Sequence, residues 1–281
     1  ERVAVVMRQL TGFDRVMVYR FDAEWNGEVV AESVASGVES FLGLRYPESD
    51  IPAQARALYA RSWLRVIEDA GYAPVPLLPE VEPGSRRALD LGGATLRSVS
   101  PVHLQYLRNM GVAASASISL LDRGRLWGLV ACHHRRPRRL SFASRVSMEL
   151  VGQMASMRLG LARDRSRLAL REAAEPRVLA ILDRVAEGRD PLEALAGDTP
   201  SLLGLVEATG AVVAYDGRVR ALGRTPPLET LGPVFDVLRA RFEAGETQVA
   251  LRSLGAVSDG WDDDGAAGLL AIALTGSGDD W

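Results

Sequence analysis

The chain has 281 residues, 47% hydrophobic and 25% charged, with a formal net charge of -3: a soluble globular composition with room for one large or two ordinary domains. That balance excludes a global field for nucleic acid or an anionic membrane, and no apolar run approaches the ~20 residues of a bilayer span. Cys132 is the only cysteine, which excludes an internal disulfide framework and fits a reducing, cytoplasmic setting.

All 33 basic residues are arginine. Lysine-nucleophile chemistry is therefore excluded, and any anion site must use guanidinium forks, hydroxyls or backbone amides. The start at Glu1 without Met and the end at Trp281 predict a piece of a longer protein.

Residues 1–9 read as the end of a helix, with Val3, Val6, Met7 and Leu10 at helical spacing. Gly12-Phe13-Asp14 turns the chain into an alternating strand over 15–21, Asn26-Gly27 is a hairpin signal, and 28–33 is the returning strand. Residues 41–52 read as irregular and 53–70 as one helix. The Pro- and Gly-rich stretch 72–90 reads as a long loop, which in a compact domain usually has a function. Residues 100–109 form a predicted helix with Pro101 in its first turn. Apolar strands over 114–121 and 126–133 follow, joined by the tight turn Asp122-Arg123-Gly124. Helices flanking an antiparallel sheet make this an α+β domain.

From Phe142 a helical pattern places Val146, Leu150, Met154, Met157, Leu161 and Leu168 at three- and four-residue steps or their multiples, interrupted only at Pro176. A stripe this long outlasts a globular helix and predicts a bundle seam, hence a homodimer; the alternative is packing on its own domain. After Pro176 and a second helix, 210–214 and 218–222 flank the turn Asp216-Gly217, 234–242 is helical and 268–274 is strand-like. The expected organisation is a first domain over 1–171, including the linking helix, and a second α+β domain over 172–281.

Three segments concentrate the chemistry. Tyr46-Pro47-Glu48-Ser49-Asp50-Ile51-Pro52 fixes a carboxylate between two prolines, each of which stiffens its neighbourhood. Arg97, Ser98, Ser100, His103 and Tyr106 gather donors of several kinds, with His103 and Tyr106 on one helix face. Ser115 and Ser117 share a strand face, and with Arg65 and Arg97 they form a carboxylate clamp. Ser119 has the same parity and either extends the row or marks a solvated face. The third segment ends in Cys132-His133-His134; adjacent strand residues face opposite ways, so only one imidazole can face a given pocket.

No Cys-x-x-Cys or His-x-x-x-His spacing supports a metal. No Gly-x-Ser-x-Gly supports a hydrolase, and Cys132 in an apolar strand reads as inert packing. A ligand pocket with aromatic walls and anion clamps fits all three segments.

Residues 46–52 with Gln54-Ala55-Arg56, residues 96–109 and residues 126–134 resemble the chromophore-binding GAF domain of phytochromes, especially bacteriophytochromes, and the match runs nearly continuously over about 13–136. Leu205-Val206-Glu207-Ala208-Thr209-Gly210 and Gly265-Ala266-Ala267-Gly268-Leu269-Leu270-Ala271-Ile272 resemble the first part of the PHY domain that follows.

The resemblance implies a GAF domain joined by a long helix to a second, GAF-like PHY domain, incomplete because the chain stops about where the PHY tongue should start. It implies a red/far-red photoreceptor binding a linear tetrapyrrole, biliverdin, and signalling through a dimeric helical spine. A histidine kinase module is the implied downstream partner; the piece itself is no enzyme. By the same resemblance, Arg65, Arg97 and Tyr59 hold one propionate, and Ser115 and Ser117 the other. Asp50 and His103 organise the pyrrole nitrogens. His133 reaches the terminal ring's carbonyl, and Tyr19, Tyr46 and Tyr106 wall the volume where that ring turns. Ile51, Pro52 and Ser100 complete the lining.

Plant and cyanobacterial members carry a linking cysteine just before the histidine matching His103, and here that position is Val102. The covalent anchor is therefore expected outside these residues, as in bacteriophytochromes. Two other readings stay open: a light-inert GAF ligand-binding or dimerisation module, and a fluorescent bilin-binding variant.

Overall fold

The computed structural model describes residues 1–94, 97–251 and 268–274. The chain divides into two compact units, Glu1–Arg165 and Ser166–Trp281. Among the described residues no helix is long and apolar enough to cross a membrane. Leu96, Gly265, Ala266, Ala267 and Trp281, which carried parts of the sequence patterns, lie outside the described residues.

The first unit begins with α1 (Arg2–Thr11), ended by Gly12 in the left-handed region at φ 65°, a conformation that costs glycine nothing. Strands β1 (Arg15–Phe21), β2 (Gly27–Val34) and β3 (Arg45–Tyr46) follow, then a 3-10 turn over Glu48–Asp50 and α2 (Ala53–Arg61). Next come β4 (Leu64–Ile67), α3 (Pro101–Asn109), β5 (Ala114–Asp122) and β6 (Arg125–His134). The six strands form one antiparallel sheet in the order β3-β2-β1-β6-β5-β4.

The predicted single helix over 53–70 is corrected here. Ser62 leaves the helical region at φ -108°, ψ 109°, and Leu64–Ile67 pairs with β5, Leu64 opposite Ile118 and Arg65 opposite Ser117. The spacing of Leu64 and Ile67 imitates a helical step, but an open sheet edge won the backbone hydrogen bonds.

The two faces of the sheet have different contents. One face carries Val16, Val18, Val130, Cys132, Ala114, Ala116, Ile118 and Leu120, packed with Ala4, Met7 and Met148 in the main core. The other carries Met17, Tyr19, Phe21, Val29 and Leu129, with Phe41, Tyr46, Ile51, Tyr59 and Ala131 against them. The strand period of two dictates this division.

Helix α4 (Phe142–Ala186) runs 45 residues, with Pro176 inside it. The expected break at Pro176 is absent. Pro176 and Glu172, whose carbonyl loses its helical partner to the proline, are both exposed, so the helix meets the cost of the proline on its solvent side. The second unit contains α5 (Pro191–Ala196), α6 (Thr199–Gly204), β7 (Gly210–Tyr215), β8 (Arg218–Gly223), α7 (Gly232–Glu243), β9 (Gln248–Leu251) and β10 (Leu269–Ile272). Its described strands form two antiparallel pairs, β7 with β8 and β9 with β10. Leu192, Ala196, Val213 and Leu222 pack one small core; Val234, Leu238, Phe242 and Val249 pack another.

Candidate functional site

The sheet face opposite α1 gathers most of the residues singled out above. Antiparallel register sets Ser115 and Arg15 on either side of His133, and Ser117 and Met17 on either side of Ala131. His133 and the serine row therefore share this face. His134 points the other way: its ring meets Phe13 edge-on at 5.9 Å, and its Nδ1 lies 2.9 Å from Asp14 Oδ2.

Arg65 is the cationic centre. Its Nε donates to Ser117 Oγ at 2.9 Å, and its Nη1 to Ser119 Oγ at 2.9 Å and to the Ser62 carbonyl at 2.7 Å. The guanidinium lies 3.9 Å over the Tyr59 ring. Burial lowers its pKa to about 10; Tyr59 opposes the shift and Arg97 adds to it. Its Nη2 is buried with no hydrogen-bond partner. A buried, charged donor with both Nη2 N–H groups free is a poor way to stabilise an empty fold and a good way to receive an anion.

Ser119 is fully buried, and its hydroxyl donates to the Tyr59 carbonyl at 2.7 Å; the serine row is no solvated face. Arg97 donates through Nη1 to the carbonyls of Ala94 at 2.7 Å and Gly92 at 3.3 Å, so its bonds stay within its own loop. Ser100 caps the start of α3, exposed and without a side-chain cap bond, and Pro52 is likewise exposed.

Asp50 lies among tyrosines. Tyr106 Oη donates to Asp50 Oδ2 at 3.1 Å. Burial first, then the Asp50 charge, pushes the Tyr106 and Tyr19 phenols above the usual tyrosine range; burial and Asp50 also raise Tyr46, against the pull of Arg15. Tyr19 and Tyr46 stand 5.8 Å apart at 45°. His103 lies parallel to Tyr106, with ring centroids 6.3 Å apart and planes within 14°; burial lowers its pKa. Burial drives His133 to about 3, and Arg15 and His103 push the same way. Its Nδ1 is sealed from solvent without a partner. Both imidazoles are neutral at pH 7. A cavity of about 300 Å³ meets this group only at Arg15 and His133.

The sequence pattern passed over Arg56 as an individual. Arg56 is buried; Nη1 donates to the Ile51 carbonyl at 2.6 Å, and Nη2 meets Glu48 Oε1 at 2.7 Å. Its guanidinium also sits 4.8 Å from the Trp25 ring. It pins the backbone on both sides of Asp50. The only sequence signal was an arginine on the helix after Pro52, which names no partner. Cys132 is fully buried on the opposite face, with its thiol pKa pushed up by burial.

Comparison with known proteins places the chain in a family. The GAF domain family matches residues 1–162, and the phytochrome region, PHY, matches 175–281. The chain is 39% identical to cyanobacterial phytochrome B of Nostoc sp. over 98% of its length, covering 37% of that protein. It is 39% identical to a bacteriophytochrome of Xanthomonas campestris pv. campestris, over 90% of its length and 40% of that protein. The photosensory core module of the Stigmatella aurantiaca phytochrome matches the whole chain and 56% of its own, with 38% identity and a TM-score of 0.82. The chain thus spans about two fifths of the length of the curated relatives it matches.

Proposed function

Because the chain belongs to the phytochrome family of photoreceptors, with a GAF domain followed by a phytochrome region, we propose that it binds biliverdin on the tyrosine- and serine-bearing face of its first sheet. Residues 1–171 act as the pigment domain in this reading, and 172–281 as the following PHY domain. The observation that carries it is the unpartnered, buried Nη2 of Arg65 beside Ser117 and Tyr59: a propionate carboxylate satisfies that donor.

Arg65, Arg97 and Tyr59 hold one propionate in this reading, and Ser115 and Ser117 the other. Asp50 and His103 hold the pyrrole N–H groups, His133 offers the terminal ring a neutral imidazole, and Tyr19, Tyr46 and Tyr106 bound that ring. Ile51, Pro52 and Ser100 close the lining. When bound, the pigment supplies absorption of red light and rotation of its terminal ring. The protein's part is to hold the rest of the pigment still, keep water out and offer hydrogen bonds that differ between the two ring positions.

Signalling through a helical homodimer to a histidine kinase completes the proposal. The stripe Val146, Leu150, Met154, Met157, Leu161 and Leu168 supports the dimer, because each side chain is 47–63% exposed in the single chain, an unusual display of apolar surface for a solitary protein.

The test is to add biliverdin and record absorbance before and after red light. A red band that shifts on illumination is expected. No red band sinks the pigment reading; a band that does not shift points to the fluorescent variant.

A further inference from the structure

Resting on the pigment reading of this sheet face, we propose that Gly27 is a positioning residue whose missing side chain sets the orientation of the Tyr19 ring. Glycine is not there for its backbone freedom, since Gly27 is absent from the positive-φ positions. It is there for space. A Cβ at Gly27 would stand 1.7 Å from Tyr19 Cζ, 1.8 Å from Oη and 2.1 Å from Cε1.

Register explains the collision. Tyr19 faces Val29 and Phe21 faces Gly27 across β1 and β2, with a shift between Val18 and Tyr19. The phenol therefore leans along β2 and covers the glycine, as aromatic side chains cover strand glycines elsewhere. Phe21 abuts it edge-on at 5.3 Å, and Tyr46, which pairs with Gly27 on the far side, meets it at 5.8 Å.

A second glycine touches the same residue differently. A Cβ at Gly128 would lie 2.2 Å from the Tyr19 carbonyl oxygen. That obstacle is backbone, so a side chain there must pry β1 from β6. At Gly27 the obstacle is the free end of a side chain, which can turn. A methyl group at Gly27 thus redirects Tyr19 off β2 while sparing the strands.

Two readouts test this. The first uses apoprotein with ring-13C-labelled tyrosine, whose six tyrosines give separate NMR signals, Tyr19 being assigned through Tyr19→Phe. In Gly27→Ala the Tyr19 signal is expected to move while those of Tyr59, Tyr72 and Tyr215 stay in place. The second uses the biliverdin-loaded protein. Gly27→Ala is expected to shift the red band and lower the photoconversion yield, and to change neither when Tyr19 is already Ala. Gly128→Ala should instead lower the unfolding midpoint.

An unmoved Tyr19 signal overturns the proposal, as does a Gly27→Ala effect on the band that persists without Tyr19. Failure of Gly27→Ala to fold overturns it too, because the strands would then have yielded before the ring. If the wild type takes up no biliverdin, the pigment reading fails, and the apoprotein signal alone decides the role of Gly27.

Discussion

Of the sealed nitrogens without hydrogen-bond partners among the described residues, Arg65 Nη2 and His133 Nδ1 lie on the candidate face, and each gives the apoprotein a measurable liability. The folded pKa of His133, pushed down to about 3 by burial, lies below the ordinary histidine value of 6.5. Between those values the unfolded chain binds the extra proton, so stability falls as pH drops through that window and the contribution is complete above pH 6.5. Urea unfolding of the apoprotein should show the wild type losing roughly 2 kcal/mol more than His133→Gln between pH 6.5 and 4.5; equal losses would mean that the imidazole is not held neutral. Arg65 makes the complementary case. Arg65→Met removes a buried, incompletely paired charge, so the apoprotein should keep its unfolding midpoint or gain slightly. Biliverdin affinity, read by absorbance titration, should fall about tenfold to a hundredfold, the worth of a charged hydrogen bond. Unchanged affinity would take Arg65 out of the clamp. At this scale the sequence was legible for residue type and silent on partners. Arg65 and Ser117 are 52 residues apart, and no local pattern joins them.

Among the elements, the end of α2 and the seat of α4 matter most. Residues 53–70 read as one helix, yet β4 lies at the edge of the sheet and takes its register from β5. Local spacing cannot see that competition. The α4 stripe was legible, since periodicity is local, but the contact that seats the helix on the hairpin was not. Ser156, buried on α4, accepts from the Leu121 amide at 3.0 Å and donates to the Gly152 carbonyl at 2.9 Å. It satisfies the strand where the β5–β6 register shifts, between Leu120 and Leu121. Around the turn, Arg163 pairs with Asp122 at 2.5 Å, and Arg123 pairs with Asp164. These ion pairs are solvent-exposed and worth little each; the buried serine is worth more. Ser156→Ala should cost about 1–3 kcal/mol in chemical denaturation, the penalty of an unsatisfied buried amide. A loss below a few tenths would show that water replaces the hydroxyl.

On the scale of the whole molecule, the apolar row on α4 carries the proposed dimer. Leu150→Glu with Met157→Glu places charges in the proposed seam and should halve the mass seen by light scattering. The red band of the biliverdin-loaded protein should stay in place, since neither residue belongs to the pigment face. An unchanged mass would refute this row as the seam. The family and the order of elements were written in short local runs: the proline-flanked Asp50, the helix carrying His103, the strand ending in His133 and the long helical stripe. Such runs are legible because turn chemistry and periodicity act between near neighbours. Only the tertiary structure decided that His133 faces the tyrosines while His134 meets Asp14, that Arg65 joins Ser117 and Ser119, and that Tyr19 lies over Gly27. A strand's period of two says that neighbours face opposite ways, but which face is inside depends on register between distant segments. That register is settled only when the whole sheet closes.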